Sequence, residues 1–562
     1  MSGKLFLLFI LNFLYTFSIS AQNGLVYESG GELIYEQAAY DVKHYKLDLK
    51  INPADSTISG HTDLSAEIVS PTNRIALDLH PDMKISRIEW LNWSDISELP
   101  FSRAGSDKKF MIHFPATLQP GENISIRIYY EGKPRVAPNP PWDGGFVWSE
   151  TSAGEPWISV ANQTTGAWLW WPNKDHPSDK PDSVNLHFTL PEGLKVASNG
   201  RLQEVSVKED GWVRWSWHVS TPINNYNISV NAAPYEILTD TYQSIAGDEI
   251  EMTFWVLPEF LEQGKDLFPQ FAEQLRFMEE LAGPYPFRAD KFGVVHTPYL
   301  GMEHQTIISY GANFEDDNLF GLNNEFDDLF QHELAHEWWG NLVSVWDWSD
   351  FWIHEGFGTY MQALYAEHLN GKREYQKTME LFRQRINSSS PVAPLRTMTT
   401  TEITEGNRGG DVYYKGAWIL HTLRYLIGDD HFFESLRRFA YPDPAMEEQI
   451  DGSQVRFVTS EDYIKITEKI SGIELGWFFD LYLRESELPE LVHEVTDQQK
   501  LKLRWELPGD RRFPMPLDVS INGKTERIII DGKTEIAIKQ NAEVDIDPEN
   551  RVLKKEKSAS QQ

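Results

Sequence analysis

"HELAHEWWGN", residues 332–341, places two histidines four positions apart with a glutamate between them. Each residue of an α-helix advances by about 100°, so His332 and His336 lie on one stripe with Glu333 at its edge. Apolar residues surround this stripe on both faces, which predicts a buried helix. Two buried imidazoles at this spacing can bind one ion, for which zinc is well suited. The alternative is a pair of hydrogen-bonded core histidines, so the interpretation requires a third ligand.

The segment "DWSDFWIHEGFGTYMQALYAEHLNG", residues 347–371, supplies that candidate. The pattern predicts a helix that Ser349 or Asp350 caps and that ends at positions 370–371. Glu355 lies in its first turns among aromatic residues, where an ionised carboxylate needs a partner such as a metal. Two histidines and one glutamate leave the fourth position of a tetrahedral zinc open for water. An open position is typical of a catalytic site rather than a structural one.

Composition limits the possible partners and ligands. The chain has 562 residues, of which 41% are hydrophobic, enough for two to four domains. Its formal net charge of -33, from 84 acidic and 51 basic residues, argues against nucleic acid as a partner. The sequence contains no cysteine, so disulfides, thiolate chemistry and cysteine-bound zinc are excluded. Any metal must be held by histidine, aspartate or glutamate.

The first 21 residues have the features of an export signal. Lys4 precedes the apolar run "LFLLFILNFLYTF", and small residues follow at positions 18, 20 and 21. We expect cleavage near Ala21, export to the periplasm or the medium, and no stable membrane anchor in the mature protein. A retained anchor is the alternative, but the run is shorter than the ~20 residues that span a bilayer.

The periodicity of the chain changes twice, which predicts a multidomain α+β protein. Residues 22–238 contain short alternating runs such as "ISIRIYYEG", closed by turn residues, and predict an all-β sandwich or saddle. Residues 239–489 carry apolar side chains at helical spacing and predict a mainly helical domain. Alternation returns over 490–556, which predicts a small β domain, and 557–562 form a tail expected to be frayed.

Several of these segments resemble one protein family. "HELAHEWWGNLVSVWDWSDFWIHEGFGTY", residues 332–360, is similar to the zinc signature of the aminopeptidase N family, the gluzincin group that includes leukotriene hydrolase. That signature is HExxH, eighteen residues, and then a glutamate. "LGMEH" (300–304) resembles the family's GxMEN strand, and "YYKG" (413–416) resembles its YEKG motif. The resemblance implies a thermolysin-like catalytic domain behind the β domain.

The resemblance also implies roles for individual residues at the reaction centre. It assigns one zinc ion per chain to His332, His336 and Glu355. It makes Glu333 the general base that takes a proton from water, and Tyr413 the donor that stabilises the oxyanion.

Substrate-binding residues follow from the same resemblance. Gly301, Met302 and Glu303 would belong to the peptide-binding strand, with Glu303 as the partner of the substrate's free amine. Gln163, nine positions before Pro172, matches a residue of the amino-terminal domain that assists it.

Three positions depart from the family motifs. Leu300 and His304 replace the first glycine and the asparagine of GxMEN, which leaves the side-chain preference of the first pockets open. Tyr414 replaces the acidic residue of YEKG.

The function implied is hydrolysis of the first residue from peptides that carry a free amine. A thermolysin-like endopeptidase is one alternative, although Glu303 argues against it. An epoxide hydrolase and a non-catalytic binding module that retains the fold are also compatible with the motifs.

Overall fold

The computed structural model describes residues 25–91, 96–105, 107–312, 314, 326–406, 410–509 and 511–558. The predicted export segment, residues 1–21, lies outside this part of the chain. Within the described residues, no helix is both long enough and apolar enough to cross a bilayer.

The amino-terminal domain is built from β-strands after one short helix, α1 (Tyr35–Ala38). Its strands are β1 (Tyr40–Asn52), β2 (Thr57–Ile68), β3 (Thr72–Asp78), β4 (Lys84–Leu91), β5 (Ile96–Glu98), β6 (Phe101–Arg103), β7 (Lys109–Leu118), β8 (Asn123–Gly132), β9 (Gly145–Glu150), β10 (Pro156–Ala161), β11 (Ser183–Pro191), β12 (Lys195–Ser198), β13 (Arg201–Val207), β14 (Trp212–Val219) and β15 (Val230–Ala233).

The described residues of this domain form three sheets. The largest has the order β13-β14-β11-β1-β2-β8-β4-β5, and the others are β12-β15-β10-β9 and β3-β7-β6. In β1 the buried residues alternate from Tyr45 to Ile51, after a register shift between Val42 and His44. Inward side chains from all three sheets form one hydrophobic core. The predicted all-β domain is confirmed.

In the described residues, the middle domain combines a five-stranded mixed sheet and the two-stranded sheet β21-β22 with helices. Its strands are β16 (Glu236–Gln243), β17 (Glu249–Val256), β18 (Phe292–His296), β19 (Gly301–Met302), β20 (Ile308–Tyr310), β21 (Val343–Val345) and β22 (Arg456–Val458). Its helices are α2 (Leu261–Ala282), α3 (Asp328–Ala335), α4 (Trp352–Asn370), α5 (Lys372–Arg383), α6 (Thr400–Gly406), α7 (Asp411–Ile427), α8 (Asp429–Ala440), α9 (Ser460–Ser471) and α10 (Gly476–Arg484). The predicted mainly helical domain is confirmed.

The start of this domain differs from the boundary that the sequence pattern predicts. The predicted boundary at 238 falls inside β16, which pairs with β17 and so belongs to the middle sheet. That sheet has the order β16-β17-β18-β20-β19, which leaves β19 at one edge.

Two helix ends also differ from the sequence pattern. The helix predicted for "HELAHEWWGN" is shorter in the structure: α3 ends at Ala335, where a tighter turn brings the Trp338 amide 3.1 Å from the Ala335 carbonyl. The prediction that Ser349 or Asp350 caps α4 is wrong. A 3₁₀ turn precedes α4, and Asp350 instead accepts a 2.5 Å hydrogen bond from Ser460.

The carboxy-terminal domain is the predicted small β domain. Its strands are β23 (Glu490–Thr496), β24 (Lys500–Glu506), β25 (Met515–Ile521), β26 (Lys524–Ile530), β27 (Lys533–Ala537), β28 (Val544–Ile546) and β29 (Lys555–Ser558). They form the sheets β27-β24-β23-β29 and β26-β25-β28. Since β29 pairs with β23 through Ser558, the sheet extends into the stretch 557–562, for which the sequence predicts a frayed tail.

Helices α4 and α7 cross at a pair of glycines. A Cβ atom at Gly356 would lie 2.9 Å from the Cα of Gly416, and a Cβ at Gly416 would lie 2.8 Å from the Cα of Gly356. The two backbones are therefore in direct contact, and neither position accommodates a side chain. Glu355 adjoins the contact on α4, and Tyr413 lies one turn before it on α7.

Gly416→Ala should therefore destabilise the fold, because the added methyl group must push two helix backbones apart. We expect a loss of about 1–3 kcal/mol in the free energy of unfolding, measured by chemical denaturation. Gly476→Ala, in the first turn of α10 with no atom within 4 Å of the new Cβ, is the matched control and should cause no such loss.

Candidate active site

His332, His336 and Glu355 meet between α3 and α4. The Nε2 atoms of the two histidines are 3.2 Å apart, and they lie 3.3 Å and 3.6 Å from Glu355 Oε2. Ligand atoms on a tetrahedral zinc with ordinary bond lengths would be separated by roughly 3.3 Å. The three side chains are thus placed to share one metal ion.

The two imidazoles are held in the form that binds metal. His336 Nδ1 lies 2.9 Å from the Trp339 carbonyl, so this nitrogen donates and Nε2 keeps its lone pair for an ion. Burial lowers the pKa of His332 to about 4, which keeps its ring neutral at neutral pH. Gly358 on α4 makes room for both rings, since a Cβ there would lie 3.2 Å from one ring and 3.3 Å from the other.

Glu333 packs against the edge strand β19. A Cβ atom at Gly301 would lie 2.5 Å from Glu333 Oε1, so the glycine leaves the space that the carboxylate occupies. Burial raises the pKa of Glu333 well above its ordinary value, and the nearby charges of Glu303 and Glu355 raise it further. A carboxyl group with a raised pKa is suited to accept and return a proton near neutral pH. Met302, the other residue of β19, pairs with β20.

Glu303 and Gln163 meet although 140 residues separate them in the sequence. Gln163, in the turn after β10, donates one hydrogen bond to Glu303 Oε1 and another, 3.0 Å long, to Glu355 Oε1. Burial raises the pKa of Glu303 to about 7. The amino-terminal domain therefore places a side chain directly into the site.

Tyr413 lies on the other side of the metal-ligand group. Its ring stacks on His332 with a centroid separation of 6.1 Å. Burial raises the pKa of Glu355, and a hydrogen bond from the Tyr413 side chain offsets part of that rise. Burial raises the pKa of Tyr413 well above its ordinary value, and the negative charges of the three surrounding carboxylates raise it further. The hydroxyl therefore keeps its proton and can donate. Tyr414 lies beside Arg385 instead. The guanidinium carbon of Arg385 is 5.5 Å from the centroid of the Tyr414 ring.

Two residues that the motifs did not identify as part of the site also contact it. Tyr226, in the 3₁₀ turn Asn225–Asn227, donates a 3.2 Å hydrogen bond to Glu303 Oε1. Asn341, the last residue of "HELAHEWWGN", donates a 3.1 Å hydrogen bond to the Glu303 carbonyl. The only sequence signal for Tyr226 is the polar run "NNYN", which interrupts the alternating pattern without indicating a site.

Glu337 and His304 are both buried close to the site. The Thr306 amide donates a 2.8 Å hydrogen bond to Glu337, whose pKa burial raises to about 8. Glu337 thus supports the turn after Glu303 rather than lying at the surface. His304 Nδ1 lies 3.0 Å from Ser309 Oγ, and burial lowers the pKa of His304 to about 3.

The charges of the site fit a bound divalent cation. Glu303, Glu333 and Glu355 are all buried, and burial raises the pKa of each. Among the described residues, no lysine or arginine forms an ion pair with any of them. Buried carboxylates are stable in the charged form only with a compensating charge. The two neighbouring imidazoles supply the nitrogen ligands that zinc prefers.

Comparison with known proteins gives consistent results along the chain. The Peptidase M1 N-terminal domain matches residues 41–226, and the Peptidase family M1 domain matches residues 269–450. Aminopeptidase B of Rattus norvegicus is 24% identical over 463 residues, which cover 76% of this chain and 65% of that protein. Leukotriene A-4 hydrolase of Xenopus laevis is 23% identical over 437 residues, which cover 73% of this chain and 67% of that protein. The chain thus spans about two thirds of the length of these relatives.

A solved structure shows the same fold. An M1 zinc metallopeptidase from Deinococcus radiodurans, a mutant bound to a Tyr-Ser-Ala substrate, superposes with a TM-score of 0.64 at 24% identity. The superposition covers 80% of this chain and 95% of that one. The family resemblance of the sequence motifs is confirmed. Because both matching domains belong to one family and together span well over half of the sequence, the chain is a member of peptidase family M1.

Proposed function

We propose that the protein is a zinc-dependent aminopeptidase that hydrolyses the first residue from peptides with a free amino terminus. The observation that carries this proposal is the buried Glu303 carboxylate, fixed by Gln163 and Tyr226 beside the metal-ligand group. A carboxylate at this place binds the ammonium group of a peptide and sets the scissile bond one residue away.

Charge balance supports the same function. When Glu303, Glu333 and Glu355 are all ionised, they place three negative charges in one buried site. A divalent metal ion and one substrate ammonium together carry three positive charges. The metal and the free amine are therefore both required for a neutral complex, and a blocked amine leaves one charge uncompensated.

The mechanism assigns a task to each side chain. His332, His336 and Glu355 would hold the zinc ion, which when bound polarises the scissile carbonyl and makes a water molecule more acidic. Glu333 accepts the proton of the attacking water and returns it to the leaving amine. The Tyr413 hydroxyl donates a hydrogen bond to the developing oxyanion. The edge strand β19 aligns the substrate backbone, and Glu303 binds its amine.

We also propose that the protein is exported, since residues 1–21 have the pattern of a cleavable signal. Amino-terminal sequencing of the protein secreted or released from the periplasm should begin near position 22. An intact Met1 in the active, membrane-bound protein would contradict this proposal.

Glu303→Ala tests the recognition of the amine. We expect a fall in kcat/KM of on the order of 100-fold or more for an aminoacyl anilide, because the buried ammonium loses its partner. The wild-type protein should lose activity with a chelator, recover it with zinc, and leave acetylated peptides intact. Glu279→Ala removes a buried carboxylate that contacts Tyr242 and Ser244 instead, and should retain the amine preference. Efficient internal cleavage of an acetylated peptide by the wild type would identify an endopeptidase.

Tyr413→Phe tests the oxyanion donor. Since the hydroxyl acts mainly in the transition state, kcat should fall on the order of 100-fold while KM and zinc content stay close to the wild type. Tyr414→Phe, the neighbouring change on the same helix, is the control and should retain turnover. Equal turnover in Tyr413→Phe and the wild type would show that Tyr413 is structural.

Gly301→Ala tests the position of the general base. The new methyl group would overlap the Glu333 carboxylate and displace it, so kcat should fall on the order of 100-fold at unchanged zinc content. Turnover and zinc content can be measured on the same preparation. Gly476→Ala provides the same substitution away from the site, and full activity in both variants would show that Glu333 tolerates displacement.

A further inference from the structure

A short segment of the amino-terminal domain is hydrogen-bonded to the middle domain next to the site. In the stretch 224–227, Asn224 Nδ2 donates a 3.0 Å hydrogen bond to the Gly340 carbonyl. Asn227 Nδ2 donates to Asn341 Oδ1. These bonds anchor the segment to the end of "HELAHEWWGN", four and five positions after the predicted ligand His336. The segment therefore has a fixed position relative to the site.

Tyr226 extends from this segment to the carboxylate of Glu303. Its hydroxyl donates a 3.2 Å hydrogen bond to Oε1, the same oxygen that accepts from Gln163. A carboxylate oxygen has two lone pairs in its plane, so two donors fill Oε1. Within the described part of the chain, no side chain donates a hydrogen bond to Glu303 Oε2, and the Glu303 backbone amide also hydrogen-bonds to the carboxylate. The two oxygens of this carboxylate therefore differ in their side-chain hydrogen bonds: Oε1 accepts two, and Oε2 accepts none.

The tyrosine is itself tightly held. Its side chain is buried, and its ring packs against Trp348 with a centroid separation of 5.8 Å. Trp348 is covered in turn by Gly30, where a Cβ atom would overlap the indole ring. The Tyr226 hydroxyl therefore has little freedom to leave Oε1.

We propose that Tyr226 is a positioning residue for the substrate amine. Together with Gln163 it occupies Glu303 Oε1, so Oε2 alone remains to accept the ammonium group. The terminal torsion of a glutamate is broad and nearly two-fold, so without the tyrosine the carboxylate can rotate and bind the ammonium in several positions. This inference rests on the proposed aminopeptidase function and adds a residue from the amino-terminal domain to its amine recognition.

Tyr226→Phe in the full zinc-loaded protein tests the role directly. With leucine anilide as substrate, kcat/KM should fall about tenfold, mainly through KM, because one hydrogen bond to a charged group is lost. The affinity for L-leucine should fall by a similar factor, whereas that for its des-amino analogue 4-methylpentanoate should stay unchanged. Zinc content and the thermal midpoint are measured alongside. A purely structural role would affect both ligands alike.

Two controls make the test specific. Tyr235 is also buried in the amino-terminal domain and donates a 2.9 Å hydrogen bond to the His296 carbonyl of the middle domain. Tyr235→Phe should leave the ratio of the two affinities at the wild-type value. In a Glu303→Gln background, Tyr226→Phe should change that ratio by less than about twofold, because the group it positions is already altered.

A second variant tests the same hydrogen bond between Tyr226 and Glu303 by changing the packing of the Tyr226 ring. Trp348→Phe keeps the Tyr226 hydroxyl but removes part of the surface that holds its ring, so it should give a smaller loss with the same preference for the amine-bearing ligand. The proposal is overturned if either folded variant keeps the wild-type ratio of affinities or loses both ligands equally. If the wild-type protein cleaves no free-amine anilide, the proposed function fails instead.

Discussion

The contact between Gly356 and Gly416 is the constraint on which the site depends. It brings the backbones of α4 and α7 together without intervening side chains. Glu355 is the neighbour of one glycine, and Tyr413 lies three residues before the other, so one helix crossing fixes the distance between a metal ligand and the hydroxyl donor. Two turns of sequence that look unrelated, "HEGFG" and "YYKG", are thus two halves of one packing contact.

Two further glycines in the same region leave space for functional side chains. Gly358 lets both histidine rings lie against α4, and Gly301 leaves space for the Glu333 carboxylate beside β19. In none of these positions is an unusual backbone angle the reason for glycine, since the conflict is with a neighbouring atom in each case. The site is therefore compact because these glycines leave room for the functional groups.

The sequence predicted those parts of the site that local geometry determines. His332, Glu333 and His336 follow from helical spacing, and Glu355 follows from an isolated carboxylate in an apolar segment. The failures share one cause, which is dependence on distant residues. Asp350 does not cap α4 because Ser460, 110 positions away, holds its carboxylate. Tyr226 has no motif, since its partner Glu303 is 77 positions away and on another domain. Gln163 was identified only through the family resemblance, because its position in the site depends on how two domains pack.

This dependence on domain packing has a consequence for how exopeptidase specificity arises. The metal ligands and Glu333 belong to the middle domain alone, and by themselves they would suit cleavage anywhere along a chain. The residues that fix the orientation of Glu303 belong to the amino-terminal domain. Under the proposed function, hydrolysis would depend on residues of one domain, whereas the restriction to the first residue would depend on the interface between the two domains. A change that loosens the interface should weaken the preference for a free amine before it affects the metal site, because both histidines contact Glu355 within the middle domain, whereas Gln163 supplies only one hydrogen bond to Glu355.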